Sequence, residues 1–231
     1  MPTLIIPDIH ERLHIVEYQL QEYGKQADKV VILGDWFDTF KAYDGERVRQ
    51  ICRFIVTNIQ TKPNWTWILG NHDSHYAFHH PSYQCSGYNP ITQLIVDEMI
   101  SPDIWRLFKV YTQVGPYTVS HAGFCEATLQ YAKPEICEET IETGLSGGYD
   151  PIFGAGRARG GSMPFGGPLW LDWNHEFEHI DDFPQIVGHT QDTQVRSKGT
   201  EGQLKSWCCD TANKHILWVD EETGVVKIEA L

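Results

Sequence analysis

The chain has 231 residues, and its 31 acidic against 18 basic side chains give a formal net charge of −13. The length suits one α/β domain with a substantial hydrophobic core, so we expect a single domain over residues 1–231. The negative charge argues against stable non-specific binding to nucleic acid, which needs clustered lysines and arginines. A small phosphate ester remains compatible with this charge, because bound cations would neutralise part of it.

The sequence carries no pattern typical of membrane insertion or export. No apolar stretch is long enough to cross a bilayer, and no basic segment followed by an apolar one stands at the N-terminus. We therefore expect a soluble, cytoplasmic protein. The cysteines lack Cys-x-x-Cys spacing, which favours buried thiols over a zinc knuckle or a disulfide framework. They are Cys52, Cys85, Cys125, Cys137, Cys208 and Cys209.

The first three predicted strands all end on polar side chains. Residues 3–7 lead into Asp8 and His10, residues 29–33 into Asp35, and residues 64–69 into Asn71. The segments between them, residues 10–24 and 45–60, carry apolar side chains at three- and four-residue steps, which predicts helices. Strands that alternate with helices predict parallel pairing through right-handed crossovers.

The middle of the chain changes character. Residues 74–90 are rich in His, Tyr and Ser without a clear period, and we predict an ordered loop there. Residues 91–100 are predicted to be helical, and residues 105–112 and 117–120 to form an antiparallel hairpin. Residues 126–145 have mixed helical sequence interrupted by a proline.

Glycines crowd residues 144–167, which predicts a second loop beside the site. Two later β-type runs end on histidine, at His121 and His189. Four short β-type runs complete the chain, at residues 194–197, 203–209, 215–219 and 225–229. The whole pattern predicts an α/β fold of two packed sheets with helices outside.

Six side chains at these strand ends form a candidate ligand set: Asp8, His10, Asp35, Asn71, His121 and His189. Carboxylate, imidazole and amide ligands suit two metals of borderline hardness, such as Mn, Fe or Zn, better than calcium or a closed structural zinc. Carboxyl ends of strands in an open α/β sheet share one crevice, so we expect the six to meet. Paired metals activate water and clamp phosphoryl oxygens, which predicts phosphate ester hydrolysis.

Five ordered blocks resemble the calcineurin-like metallophosphoesterase superfamily: Asp8-x-His10, Gly34-Asp35-x-x-Asp38, Gly70-Asn71-His72-Asp73, His121-x-Gly123 and Gly188-His189. The resemblance covers nearly the whole chain. It implies a four-layer α-β-β-α sandwich of two mixed β-sheets flanked by helices. It also implies a dinuclear metal site at the strand ends.

The resemblance implies a role for each of these residues. Asp8 and His10 would bind the first metal, Asp35 would bridge to the second, and Asn71, His121 and His189 would complete the second. His72 would protonate the leaving group or steady the transition state, and Asp38 would orient and charge its imidazole. A metal-bridging hydroxide would attack phosphorus. Two divalent ions are implied, with Mn²⁺ the first choice and Fe, Zn, Ni or Co the alternatives.

Two positions depart from the family patterns. In PPP-type serine/threonine phosphatases an arginine that grips phosphate follows the second Asp of Gly-Asp-x-x-Asp, and here that position is Thr39. The second histidine of the common Gly-His-x-His block is Gln191. The Leu169–Asp172 stretch resembles the PPP branch, whereas Gly-Asp-Trp-Phe-Asp at residues 34–38 resembles repair nucleases and other diesterases, so the branch stays open.

Arg157 and Arg159 are the candidates to replace the missing phosphate-gripping arginine. They lie in the glycine-rich stretch, and a planar guanidinium fork suits phosphate oxygens. The alternative is two solvated arginines on a flexible loop.

One competing motif is a literal His-Glu-x-x-His at residues 175–179, which on a helix binds zinc in metalloproteases. The third histidine of that class is absent and residues 181–184 end any helix, so we interpret the motif as a short polar surface segment. We likewise interpret His75, His79 and His80 as loop or surface residues.

The sequence therefore predicts a metal-dependent hydrolase that acts on a phosphorylated substrate, without a membrane partner. The first choice is a phosphomonoesterase for a phosphoprotein or nucleotide, and the alternative is a phosphodiesterase or nuclease. A catalytically silent metal-binding scaffold is the rival of another class. The retained pair of His72 and Asp38 argues against a scaffold, which needs no proton donor. The oligomeric state stays open.

Overall fold

The computed structural model describes residues 1–39, 41–130 and 134–231. Its strands are β1 (Pro2–Ile6), β2 (Lys29–Ile32), β3 (Trp65–Trp67), β4 (Tyr111–Val114), β5 (Tyr117–Ser120), β6 (Gln185–Val187), β7 (Arg196–Lys198), β8 (Ser206–Cys208), β9 (His215–Asp220) and β10 (Val226–Ala230). Its α-helices are α1 (Leu13–Glu22), α2 (Gly45–Ile59), α3 (Asn71–Ala77), α4 (Pro90–Met99), α5 (Pro102–Trp105), α6 (Glu126–Leu129) and α7 (Pro134–Leu145). Among the described residues, 3₁₀ turns lie at Pro81–Tyr83, Pro151–Phe153 and Arg157–Arg159.

The strands form two mixed five-stranded sheets, with the orders β10-β9-β1-β2-β3 and β4-β5-β6-β8-β7. Each sheet contains three neighbouring parallel strands, β1-β2-β3 in the first and β5-β6-β8 in the second. The other strands join by antiparallel pairing. Because β9 pairs with β1, the C-terminal part of the chain completes the sheet that the N-terminus begins.

Apolar side chains define the layers. Ile5 of β1 and Ile186 of β6 are fully buried in one cluster between the two sheets. On the outer face of the first sheet a larger cluster packs the helices, including Ile51 of α2. Phe177 belongs to a third cluster, with Val187 of β6 and Cys208 of β8. The predicted fold class, two mixed sheets flanked by helices, is confirmed.

The predicted crossover helices are confirmed, and α2 matches its apolar period because Val48, Ile51 and Ile55 are all buried. The Asp44 carboxylate caps α2 by accepting the backbone N–H of Glu46 at 3.0 Å. Helix α1 begins at Leu13 rather than at residue 10, because His10 and Glu11 adopt positive φ angles that a helix does not allow.

Two predicted elements are wrong. The loop predicted over residues 74–90 begins inside α3, a helix whose first turn is held by the Asp73 carboxylate as it accepts the Gly70 N–H at 2.9 Å. The strand predicted over residues 105–112 starts only at Tyr111, because Pro102–Trp105 forms α5. Apolar side chains in this segment, such as Phe108, are buried although the backbone there is not a strand. A short apolar run in the sequence does not distinguish such a segment from a buried strand.

Within the described ranges no helix combines the length and the apolar character that a bilayer span requires.

Candidate metal centre

The carboxyl ends of β1, β2 and β3 meet those of β5 and β6, so the five predicted strand-end blocks come together. Asp35 lies at the centre of this convergence and is 2% exposed. Its Oδ2 is 3.5 Å from His10 Nε2 and 3.5 Å from His121 Nε2. One carboxylate thus faces imidazoles from both sheets.

Asn71, His121 and His189 converge beside Asp35. Asn71 Oδ1 is 2.9 Å from His121 Nε2 and 3.0 Å from His189 Nδ1. The two imidazole nitrogens are 3.1 Å apart. Three atoms with lone pairs at such separations form a cage that a cation could occupy, and Asp35, His121 and His189 lie close enough to share one.

The surroundings of Asp8 fit a bound cation. Its carboxyl group is fully buried, and Oδ2 accepts the backbone N–H of His189 at 2.8 Å. The other oxygen, Oδ1, is buried and has no hydrogen-bond partner in the described structure, and the same holds for His189 Nε2. A Cβ at Gly188 would collide with that Oδ1. Buried polar atoms normally have partners, and a bound cation would supply one.

Backbone conformation also marks the site. Four non-glycine residues of the predicted motifs have left-handed φ angles, namely His10 at 45°, Asp35 at 51°, Asp38 at 64° and His189 at 63°. Such angles are uncommon outside glycine and cluster at functional sites, where the surrounding structure holds them in place. In the strand-end blocks the backbone therefore holds less favourable φ angles, and these angles direct the side chains toward the site.

The electrostatics of the centre favour a cation. Burial raises the pKa of Asp8 well above its ordinary value, and the negative charges of Asp210 and Asp35 raise it further. Burial acts the same way on Asp35, but the imidazoles around it, His121 first, outweigh burial and lower its pKa. Burial lowers the pKa of His189 well below its usual range and so favours the neutral, ligating form.

His72 and Asp38 form a hydrogen-bonded pair at the rim of the centre. His72 Nδ1 is 2.7 Å from Asp38 Oδ2, and the Tyr76 hydroxyl donates to Asp38 Oδ1 at 2.6 Å. Burial lowers the pKa of His72, but the charge of Asp35 and the Asp38 hydrogen bond outweigh burial and raise it well above the usual value. Burial raises the pKa of Asp38, whereas its hydrogen bonds to His72 and His75 bring it down to about 2. The pair can hold a proton next to the centre.

A family model described as calcineurin-like phosphoesterase matches residues 1–192. The chain belongs to the calcineurin-like phosphoesterase family. This family is metal-dependent. Membership in it supports the conclusion that the chain is a hydrolase that acts on phosphate esters. No relative was found among curated proteins.

Solved structures of two phosphatases share the fold of this calcineurin-like phosphoesterase. A cold-active protein-tyrosine phosphatase of a psychrophilic Shewanella species is 12% identical with a TM-score of 0.63, over 98% of this chain and 80% of that one. A protein serine/threonine phosphatase from Saccharomyces cerevisiae is also 12% identical, with a TM-score of 0.55, over 100% of this chain and 80% of that one. At this identity the likeness concerns the fold alone.

The two candidate phosphate-binding arginines of this phosphoesterase differ in position. Arg159 Nε is 2.8 Å from Asp172 Oδ2, and Arg159 Nη2 donates to Thr190 Oγ1 at 2.7 Å, beside His189. Arg159 also lines a cavity of about 520 Å³. Arg157 is exposed and does not line that cavity. The structure thus brings Arg159 to the centre and leaves Arg157 outside it.

The competing His-Glu-x-x-His motif lies on a turn, not on a helix. Within the described part of the chain neither of its histidines belongs to a group of close ligand atoms. Our interpretation of it as a polar surface segment is wrong for Glu176, which is 7% exposed and accepts the backbone N–H groups of Gly166 at 3.0 Å and Asp172 at 3.1 Å. It holds the glycine-rich stretch in place.

Sequence reasoning missed several residues at the site. His75 is not a surface residue: it is 1% exposed, and its Nε2 lies 2.8 Å from Asp38 Oδ2. Asp73 is no ligand candidate, because its carboxylate accepts the N–H groups of Asp35 and Trp36 and so ties the first turn of α3 to the segment that follows β2. Asp210 follows β8 and is 2% exposed next to Asp8. The rule that found the other strand ends, a β-type run leading into a carboxylate, applies to Asp210 as well.

Proposed function

We propose that the protein is a dinuclear metal-dependent phosphomonoesterase that acts on a phosphoprotein or a nucleotide. The convergence of carboxylate, imidazole and amide ligands on Asp35 is the observation that carries the proposal. The residues that would hold the two divalent ions, with Mn²⁺ the first choice, are Asp8, His10, Asp35, Asn71, His121 and His189. When bound, such ions supply an activated water at neutral pH and neutralise charge on the phosphoryl oxygens.

His72 is the proposed proton donor to the leaving oxygen. A proton on its imidazole is stabilised by Asp38, which accepts from Nδ1, and by the negative charge of Asp35. Nε2 of the same ring is then left to donate to the ester oxygen. An alkoxide is a poor leaving group, so a positioned acid contributes about 10²–10⁴-fold to the rate.

Arg159 is the proposed phosphate-binding cation. Asp172 and Thr190 hold two of its guanidinium nitrogens next to His189, and one nitrogen is left to approach a phosphate oxygen. The neighbouring cavity is lined by side chains such as Tyr83, Tyr149 and Trp170. Its size favours a phosphorylated side chain or a nucleotide over a long nucleic-acid tract, as does the net charge of −13.

The assay uses a chromogenic phosphomonoester and a chromogenic phosphodiester with added Mn²⁺. Wild-type protein is expected to hydrolyse the monoester faster, and Asp35→Asn is expected to lose at least about 10³-fold in kcat/KM because both ions share Asp35. Asp182→Asn, a change of the same type at an exposed position, is expected to retain full activity. Preference for the diester would favour the phosphodiesterase alternative. Bound metal without activity on either ester would support the scaffold.

A further inference from the structure

A second group of ligand atoms lies beside the proposed proton donor. His72, His75 and Cys85 each offer one ligand atom, and these atoms lie within 4.8 Å of one another. Cys85 Sγ is 3.2 Å from His75 Nδ1 and 3.9 Å from His72 Nδ1. Ligands on one tetrahedral zinc are roughly 3.5 Å apart, given bonds of about 2.0 Å to nitrogen and 2.3 Å to sulfur. The three side chains therefore need little movement to share an ion.

His75 has the environment of a metal-binding histidine. Its ring is completely buried, and while Nδ1 faces Cys85, Nε2 lies 2.8 Å from Asp38 Oδ2. A carboxylate on the far nitrogen is typical of metal-binding histidines, whose ring it orients and makes more basic. The proposed hydrolysis uses neither His75 Nδ1 nor the thiol.

The group is also accessible to an ion. Helix α3 places His72 and His75 three residues apart and hence on one face. Cys85 follows the Pro81–Tyr83 turn, is only partly buried and lines the cavity that holds Arg159. An ion can therefore reach the thiol from solvent without passing through the centre around Asp35.

We propose that His72, His75 and Cys85 form an inhibitory site for Zn²⁺ beside the dinuclear centre, with ligands other than the six of that centre. One thiolate and two imidazoles select zinc over manganese, which prefers oxygen ligands. Bonds form from zinc to Cys85 Sγ and to Nδ1 of each ring, and the protons that these three atoms carry leave to solvent. Three protein ligands leave the fourth position to water.

Zinc at this site would stop hydrolysis by capturing the proton donor. A bond to His72 Nδ1 replaces the 2.7 Å contact with Asp38 and displaces the Nδ1 proton. The ring can then no longer become an imidazolium, and its remaining Nε2–H is too weak an acid to protonate the leaving oxygen. The ring also turns away from the orientation that Asp38 fixes. This inhibition rests on the proposed function of His72, whereas the zinc site itself does not.

Cobalt tests the site independently of activity, because a thiolate bound to Co²⁺ gives a charge-transfer absorption in the near ultraviolet. The six proposed ligands of the dinuclear centre include no sulfur, so they give no such band. We expect the band on adding Co²⁺ to the wild-type protein and to Cys125→Ser, a control at a buried thiol. We expect none in Cys85→Ser. Absence of the band from the wild type, or its persistence in Cys85→Ser, overturns the site.

Asp35→Asn separates this inference from the proposed function. The variant is expected to keep the cobalt band even though its dinuclear centre is lost. In the Mn²⁺-loaded enzyme, the Zn²⁺ concentration for half-inhibition, measured against each variant's own zinc-free rate, is expected to rise at least about tenfold in Cys85→Ser. Cys125→Ser is expected to be inhibited like the wild type. Equal inhibition of Cys85→Ser and the wild type overturns the inhibitory role.

Discussion

At the scale of single residues, the proposed proton donor His72 and its partner Asp38 are the pair that would distinguish an enzyme from a metal-binding scaffold. If His72 is the acid, its loss matters most where the leaving group is most basic. We expect His72→Gln to lower kcat by about 10²–10⁴-fold for an alkyl phosphate and by clearly less for a nitrophenyl phosphate, whose leaving group needs no proton.

The control for this prediction is His79→Gln, which changes an exposed histidine shortly after α3 and is expected to leave both substrates unaffected. Equal losses on the two phosphates would show that His72 serves binding or folding rather than proton transfer. Metal content measured in parallel is expected to be unchanged in His72→Gln, because its side chain is not one of the six proposed ligands.

Single residues also show what the sequence can and cannot reveal. The strand-end rule predicts Asp8, Asn71 and their partners because polar residues after a buried strand have few structural reasons to stand there. The same rule cannot tell Asp73 from Asn71, since both follow β3 and only the helical turn between them decides which side chain reaches the centre. The prediction of a loop or surface position for His75 is wrong for a similar reason: side chains that contact its ring, such as Cys85 and Tyr88, come from later in the chain.

At the scale of elements, the glycine-rich stretch decides where a phosphate-binding arginine can lie. The sequence offers Arg157 and Arg159 as equals. The structure separates them. Glu176 fixes the backbone of the stretch by accepting its N–H groups, and Asp172 forms an ion pair with Arg159 but not with Arg157. The glycine-rich composition predicts a flexible loop and cannot reveal this difference, because the carboxylate that fixes the backbone belongs to another motif.

This separation predicts different effects for the two arginines. Arg159→Ala is expected to lower kcat/KM for a good monoester by about tenfold to a hundredfold, because a charge-assisted contact to phosphate is lost. Arg157→Ala is the matched control and is expected to change it little. Arg159→Lys should recover only part of the loss, since an ammonium lacks the guanidinium fork. Unchanged kcat/KM in both alanine variants would remove either arginine from phosphate binding.

At the scale of the whole molecule, the fold brings distant parts of the chain to one point. Two sheets, each with three parallel strands, present their carboxyl ends to a common crevice. The alternation of strands and helices is enough to predict this layering. The short strands and the elements between residues 74 and 112 cannot be predicted in the same way, because local apolar patterns there are ambiguous. We propose that residues 1–231 form one domain, since β9 and β10 complete the sheet begun by β1.

The most direct test of the account is the metal content of the purified protein after loading with Mn²⁺ and removal of free ions. We expect about two manganese ions per chain in the wild type. Asp35→Asn is expected to hold about none and Asp182→Asn to match the wild type. Wild-type protein that retains no manganese, or Asp35→Asn that retains as much as the wild type, would contradict a dinuclear centre built on Asp35.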